Sequence, residues 1–163
     1  MNSNRIISIV LVLFAGAGIA ISGYLTSVHY SDVPLVCNSS GVVNCEQVLT
    51  SKYAEVAGLP WSIGGIAWFA VVGAMALVTL VRRVEPSWLQ PAQVGWSVLG
   101  LVTVVYLIGV EVLQLDRICL WCSAMHVMIV LTFLLHIFRQ PELDDEDDGV
   151  AEAAPANGVS FAP

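Results

Sequence analysis

The chain has 163 residues, a length typical of a single domain. Hydrophobic residues account for 57% of the sequence and charged residues for only 12%, whereas roughly a quarter of an average soluble domain is charged. This composition excludes an ordinary soluble globule and indicates a small multi-pass membrane protein. The formal net charge of -7 says little about partners, because residues 142–152 hold seven of the 13 acidic side chains and no basic segment favours nucleic acid.

Four apolar segments follow one another along the chain, at residues 6–24, 63–81, 94–113 and 118–138. Each is close to the roughly 20 residues that a helix needs to cross the hydrocarbon core of a bilayer. Arg5 before the first segment is also compatible with a cleaved signal peptide, but the apolar core of a signal peptide is shorter, about 7–15 residues. We therefore predict an all-α integral membrane protein, a four-transmembrane-helix bundle.

The basic residues predict how this bundle lies in the membrane. With four spans, four of the six fall on one side: Arg5, Arg82, Arg83 and Arg139. The other two, Lys52 and Arg117, fall on the opposite side. Because cytoplasmic loops carry the excess of Lys and Arg, both termini are predicted to be cytoplasmic in a multi-pass protein of the cell (inner) membrane. The loop between helices 1 and 2 is then extracytoplasmic, and all four cysteines lie on or near that oxidising side.

The third and fourth spans are separated by a Cys-x-x-Cys motif, Cys119 and Cys122. Two cysteines at this spacing can close on each other or on one metal ion, so the motif is typical of redox or metal sites. Asp116 is a good N-cap residue, and a helix that begins there would place Cys119 in its first turn. The helix dipole favours the reactive thiolate at that position.

Cys37 and Cys45 lie in the loop between the first two spans, with seven residues between them. This spacing fits zinc poorly, because zinc ligands usually come in pairs separated by about two to four residues. Ser123 stands where a c-type haem motif requires His. Fixed structural disulfides remain open, although they are rarely built as Cys-x-x-Cys. Two exchanging dithiol pairs are favoured, with a lipid-soluble quinone as the two-electron acceptor.

Four motifs stand out along the chain: Cys37-x7-Cys45, Val48-Leu49-x-Ser51-x-Tyr53, Gly58-Leu59-Pro60-x-Ser62-x-x-Gly65 and Cys119-Leu120-Trp121-Cys122. Through these motifs the sequence resembles a bacterial, stand-alone member of the vitamin K epoxide reductase family over residues 6–138. The resemblance implies a four-helix bundle around a quinone, of the menaquinone or ubiquinone type, and disulfide formation coupled to quinone reduction.

The resemblance also implies a role for each cysteine. Cys37 would meet the redox partner, which is expected to be a separate extracytoplasmic thioredoxin-fold protein of the DsbA type. Cys45 would relay to Cys119 through a transient disulfide, and Cys122 would face the quinone. Ser51 matches a Ser or Thr position that is thought to hydrogen-bond near the reacting centre; the alternative is a helix cap or a solvated serine.

Three further residues are predicted to contact the quinone. His126 follows Cys122 by one helical turn, and an ionisable group inside a span is functional by default. It stands where the vertebrate enzymes have Tyr, and Trp61 stands where they have an Asn that holds the quinone oxygen. Trp61 and Trp121 would stack on the ring, or act as ordinary residues of the interfacial aromatic belt. Glu111 is expected to extend to the interface or to pair with Arg117.

The sequence therefore predicts a membrane thiol oxidoreductase that generates disulfide bonds and reduces a membrane quinone. Residues 1–140 would form the four-helix transmembrane redox domain, and residues 141–163 an acidic disordered cytoplasmic tail. The alternative is a non-catalytic tetraspan membrane protein whose cysteines form fixed structural disulfides.

Overall fold

A computed structural model describes residues 3–31, 35–37, 41–82 and 86–139 of the chain. The helices are α1 (Ser3–Tyr30), α2 (Cys45–Leu49), α3 (Trp61–Val81), α4 (Leu89–Val110) and α5 (Leu120–Phe138). Two short strands, β1 (Glu55–Val56) and β2 (Leu59–Pro60), precede α3, and a π-helical turn (Glu111–Leu115) continues α4. The predicted tail at residues 141–163 lies outside the described residues.

Four helices of the described residues are long and apolar enough to cross a membrane, which confirms the four predicted spans. They are Asn4–Tyr30, Trp61–Val81, Leu89–Leu115 and Leu120–Phe138. The first is longer than the apolar run that predicted it. Its last turns are polar, but the Thr26 hydroxyl donates to the Ser22 carbonyl at 2.8 Å and the Ser27 hydroxyl to the Gly23 carbonyl at 3.0 Å.

The predicted start of the fourth helix at Asp116 is wrong. Asp116 has φ 48°, a left-handed conformation that ends the π-helical turn instead of beginning a helix. The chain then runs extended, because Ile118 forms a parallel bridge with Val43. Helix α5 begins at Leu120, and Cys119 is itself the N-cap residue.

The membrane helices pack as a bundle in which α1 lies along α3 and α4 lies along α5. Glycines allow two of the closest approaches between helices. A Cβ atom on Gly18 would lie 2.5 Å from the Phe69 ring, and one on Gly100 would lie 2.6 Å from the Trp68 ring. Close backbone approach of this kind is how helices associate in lipid, where packing replaces the hydrophobic effect.

Polar side chains join α4 to α5 at the end of the bundle opposite the cysteines. The Ser97 hydroxyl and His136 Nδ1 are 2.6 Å apart, and Arg139 Nη1 donates to Gln93 Oε1 at 2.8 Å. All four residues are buried. Hydrogen bonds between helices inside a bilayer stabilise helix pairs by about 1 kcal/mol each, so this cluster fixes how the two helices meet.

Between α1 and α3 the chain builds a compact cap over one end of the bundle. Strands β1 and β2 pair antiparallel through a two-residue turn, Ala57-Gly58, in which both residues have positive φ. Glycine adopts that conformation freely and Ala does so at a steric cost. His29 Nε2 lies 3.1 Å from Glu55 Oε1, which ties the hairpin to the end of α1.

Candidate active site

The structure brings the two cysteine pairs together at the capped end of the bundle. Cys37 and Cys45 are joined by a disulfide, whereas Cys119 and Cys122 are free thiols. Cys45 and Cys119 are 1% and 0% exposed, and they share one buried cluster with Val48, against which the other two cysteines pack. One cysteine of each pair, Cys45 or Cys119, therefore lies in the same buried cluster, which excludes water.

Backbone pairing explains why these two cysteines meet. The Asn44 N–H donates to the Ile118 carbonyl at 3.1 Å, and the Ile118 N–H donates to the Val42 carbonyl at 3.0 Å. The two short segments run parallel, and each leads directly into a helix that begins near a cysteine. Asn44 also caps α2, since its side-chain oxygen accepts from the Gln47 N–H at 3.0 Å. The position of Cys45 beside Cys119 is thus set by main-chain hydrogen bonds.

Two aromatic side chains hold the residue before Cys37. The Val36 N–H donates to the Tyr24 hydroxyl at 2.9 Å, and the Trp121 indole N–H donates to the Val36 carbonyl at 2.9 Å. The two rings also contact each other, with centroids 5.4 Å apart. Trp121 was expected against the quinone, but the structure directs its indole to the loop and places it outside the cavity lining described below.

Cys119 has surroundings that favour its thiolate. The Cys122 thiol donates to the Cys119 sulfur and lowers the pKa of Cys119 below its ordinary value. The backbone N–H groups of Trp121 and Cys122 act in the same direction, and burial opposes them. The Cys122 N–H lies 3.4 Å from the Cys119 sulfur, a contact that exists because Cys119 is the N-cap of α5.

A cavity of about 360 Å³ opens between the helices beside Cys122. Its volume is in the range of small-molecule sites, and most of its lining is apolar. Side chains from all four membrane helices and from the cap contribute to the wall. Cys122 lines it and Cys119 does not, so only the second cysteine of the motif faces the cavity.

Three of the predicted quinone contacts line this cavity: Ser51, Trp61 and His126. His126 is 7% exposed, and the described residues provide no hydrogen bond to its ring. The Ser51 hydroxyl donates to the Val48 carbonyl at 2.8 Å, which agrees with the local-cap interpretation and leaves its oxygen lone pairs available. The Trp61 ring contacts Tyr106, with centroids 6.0 Å apart.

Two residues of the cavity lining each carry a buried polar atom without a partner. Ser22 Oγ and Trp61 Nε1 are both fully buried, and no described group bonds to either atom. An unpaired buried donor costs about 1–3 kcal/mol, so each of these atoms needs an explanation, and a bound ligand is one that the cavity supports. Gly65 leaves room for the serine, because a Cβ atom there would lie 2.6 Å from Ser22 Oγ.

Glu111 does not extend to the interface as the sequence suggested. It is 6% exposed, it lines the cavity, and its carboxyl group interacts with the Cys122 thiol and the Cys119 backbone N–H. Arg117 is not its side-chain partner, because Arg117 Nη1 donates to the Asp116 carbonyl at 2.8 Å. The local sequence held no signal for this direction. Glu111 follows Val104 by seven residues, two helical turns, and only the structure shows that α4 buries that face.

Ser22 was also missed as a candidate. It interrupts an apolar span as a small residue, and serine in a membrane helix often bonds to its own helix. Only the packing of α1 against α3 shows that Ser22 belongs to the cavity lining and that its hydroxyl lies against Gly65.

The family model of the vitamin K epoxide reductase family matches residues 9–137, most of the chain and all four membrane helices. The chain belongs to the vitamin K epoxide reductase family. It is therefore an integral membrane protein and an oxidoreductase that acts on disulfides. Enzymes of the vitamin K epoxide reductase family are quinone-linked and generally work with a thioredoxin-like partner.

Proposed function

We propose that the protein generates disulfide bonds by oxidising a separate extracytoplasmic thioredoxin-fold protein and reducing a membrane quinone. One observation carries the proposal. Cys45 and Cys119 share a buried cluster while Cys122 lines a mainly apolar cavity, and this arrangement supports a path of cysteine sulfurs from the loop to a ligand site. Electrons would enter at Cys37/Cys45 and leave through Cys119/Cys122.

The exchange steps follow from thiol chemistry. A partner thiolate attacks the Cys37 sulfur, the Cys37–Cys45 bond breaks, and the second partner thiol closes the partner's disulfide. The Cys45 thiolate then attacks Cys119 of an oxidised Cys119–Cys122 pair and releases the Cys122 thiolate. Attack of Cys37 on Cys45 restores the loop disulfide and frees Cys119. The structure, with the loop disulfide formed and the inner pair free, corresponds to the end of this sequence.

The cavity fits a quinone ring. It is lined mainly by apolar groups, and its lining residues carry two unpaired buried donors, the Ser22 hydroxyl and the Trp61 indole N–H, together with the imidazole of His126. A quinone supplies two-electron oxidation of the inner dithiol when it is bound, and its oxygens require hydrogen-bond donors. Trp61 N–H is suited to the donor role that an Asn amide would otherwise take. We assign Ser51, Trp61 and His126 to this site and Trp121 to the loop.

The proposed orientation follows the positive-inside rule. Both termini would face the cytoplasm of a bacterial inner membrane, with the cap and the four cysteines outside. Arg82 and Arg139 end α3 and α5 at the opposite end of the bundle from the cysteines, which supports this orientation. It also places the reactive pairs where a secreted dithiol protein can reach Cys37.

A tetraspan protein with two fixed structural disulfides is the competing function. The free thiols of Cys119 and Cys122 beside an oxidised loop pair favour exchange instead. An experiment in native membranes, with a reductant followed by a quinone, distinguishes the two functions. We expect a mild reductant to reduce the exchangeable disulfides to thiols and a quinone to reoxidise them, whereas fixed disulfides would resist the reductant until the protein is unfolded.

Trapping tests the partner. In a Cys45→Ala variant, the Cys37 thiolate can attack the partner's disulfide, and no neighbouring cysteine resolves the resulting mixed disulfide. We expect a reductant-sensitive adduct on electrophoresis, with a thioredoxin-fold protein identified by mass spectrometry. The Cys37→Ala/Cys45→Ala protein is the control and should form no adduct. An adduct that persists in this control would contradict the role of Cys37.

His126→Leu tests the cavity. Leucine keeps the apolar packing but removes the hydrogen-bond donor, and a buried acceptor left without its hydrogen bond costs about 1–3 kcal/mol. We expect kcat/KM for quinone reduction to fall by about 10- to 100-fold, since each 1.4 kcal/mol corresponds to a factor of about ten. Exchange between the partner and the loop should keep its wild-type rate, because that step involves Cys37 and Cys45.

The matched control for this variant is His136→Leu. His136 is buried in the same helix but bonds to Ser97 at the opposite end of the bundle. The His136→Leu substitution should lower the stability of the protein and leave the ratio of the rates of the two half-reactions unchanged. Wild-type kcat and KM in the His126→Leu protein would show that the quinone lies elsewhere.

A further inference from the structure

Glu111 is a buried carboxylic acid that the thiol relay does not by itself require. It is 6% exposed, at the junction between α4 and the π-helical turn. Ionisable groups inside membrane spans are costly and for that reason usually serve function, and π-helical turns often occur at functional sites. The position of Glu111 therefore calls for a chemical explanation.

The backbone of Glu111 is held firmly. Its carbonyl accepts the Asp116 N–H and, at 3.1 Å, the Arg117 N–H. These bonds fold the chain back after α4, so that Cys119 and Cys122 return to the side chain of Glu111. The carboxyl group then interacts with the Cys122 thiol and the Cys119 N–H, and it also faces the cavity.

A structural ion pair does not explain this carboxyl group. Within the described ranges, the one side-chain ion pair joins His29 to Glu55. The polar groups that interact with the Glu111 carboxyl group in the described part of the chain are the Cys122 thiol and the Cys119 N–H, both of them part of the Cys-x-x-Cys motif, and Glu111 and Cys122 line the same cavity. A carboxylate between a thiol and a ligand cavity has the geometry of a proton acceptor.

We propose that Glu111 is a catalytic base that removes the proton of the Cys122 thiol as the inner disulfide forms and releases it into the cavity. This rests on the proposed function. Oxidation of the pair breaks two S–H bonds, forms the Cys119–Cys122 S–S bond and transfers two electrons to a quinone, which takes up two protons. The proton of Cys122 travels through Glu111. The proton of Cys119 leaves with thiolate formation and is balanced by one from solvent.

The alternative role for Glu111 is purely structural, as an acceptor that fixes the Cys119 N–H. Glu111→Gln separates the two roles, because the amide oxygen can still accept the N–H but cannot take up a proton. Glu46→Gln is the matched control, since Glu46 is an exposed carboxylate in α2 next to Cys45. It should behave as the wild type in each measurement.

The first measurement uses quinone-free protein. In a Cys119→Ala background with the loop disulfide intact, Cys122 carries the only S–H group, and its infrared stretching band reports its hydrogen bond. We expect the band to lie at lower wavenumber with Glu111 than with Gln, and to shift as the pH falls and the carboxylate gains a proton. If the wavenumber of the S–H band changes neither with the pH nor with the substitution, the proposal is overturned. The pH titration alone decides this if the Gln variant does not fold.

The second measurement mixes reduced protein with a short-chain quinone in a single turnover. Loss of a positioned base typically costs 10²–10⁴-fold in rate, so we expect Glu111→Gln to react about 100-fold more slowly, with partial recovery in Glu111→Asp. If Cys122→Ala is inactive but Glu111→Gln reacts at the wild-type rate, the role of Glu111 is overturned and the proposed function stands. If Cys122→Ala still reduces quinone, the proposed function itself fails.

Discussion

Cys122→Ala and Cys119→Ala should each reduce quinone at less than about one-thousandth of the wild-type rate, because removal of a covalent nucleophile abolishes the unit in which it acts. Cys122 lines the cavity, and Cys119 is its only neighbour with a free thiol in the described part of the chain. Without either one, the inner disulfide cannot form, and the two electrons have no donor. The measurement is quinone reduction by purified protein in detergent.

Two controls make this result specific. Thermal unfolding should be little changed, since Cys→Ala removes one sulfur atom from each buried site. The double variant Cys119→Ala/Cys122→Ala should be no less active than either single variant, because the two residues act together. Substantial activity in a single variant would reject the electron path through the inner pair.

Cys37→Ala and Cys45→Ala should each lower the rate of oxidation of a protein partner by a factor comparable to the loss of quinone reduction in the inner-pair variants. A small dithiol should still be oxidised. The cap covers the inner pair: Cys119 is 0% exposed and packs against Cys45 and Val48. A folded partner cannot reach that position, whereas we expect a small dithiol to reach it in these variants, where no disulfide holds the loop. The two substrates therefore report on different parts of the relay.

This prediction is checked by the ratio of the two activities in one preparation. Glu46→Gln, an exposed substitution in α2, should leave the ratio unchanged. If the loop variants lose both activities equally, the loop disulfide is needed to hold the inner site together. If they keep oxidation of the protein partner, the partner reaches Cys119 directly and the loop is not part of the path.

The number and positions of the membrane spans were predictable because they depend on local composition. A helix must satisfy its own backbone groups in lipid, so each apolar run of sufficient length predicts a span wherever it occurs. The cysteine spacings were equally informative, since two residues between Cys119 and Cys122 restrict the chemistry before any fold is known. The four spans are confirmed and so is the family.

The start of α5 was mispredicted for a reason that lies outside the local sequence. Asp116 is a favourable N-cap, but the π-helical turn ends there and Ile118 is drawn into a bridge with Val43, a residue 75 positions away in the chain. Tertiary pairing outweighed a capping preference of about 1 kcal/mol. As a result the Cys119 sulfur, and not the Asp116 carboxylate, accepts a hydrogen bond from a backbone N–H in the first turn of α5, that of Cys122.

By itself, the sequence determined the number of spans, the membrane location of the fold and the residue types that carry the redox chemistry, because hydrophobic length and cysteine spacing act over short distances. Only the tertiary structure decided which side chains share the cavity. Trp121 turned to the loop, while Ser22 and Glu111 turned inward, and none of these directions follows from a residue's own neighbours. They depend on helix rotation, which is set by packing against distant segments such as Phe69 on Gly18.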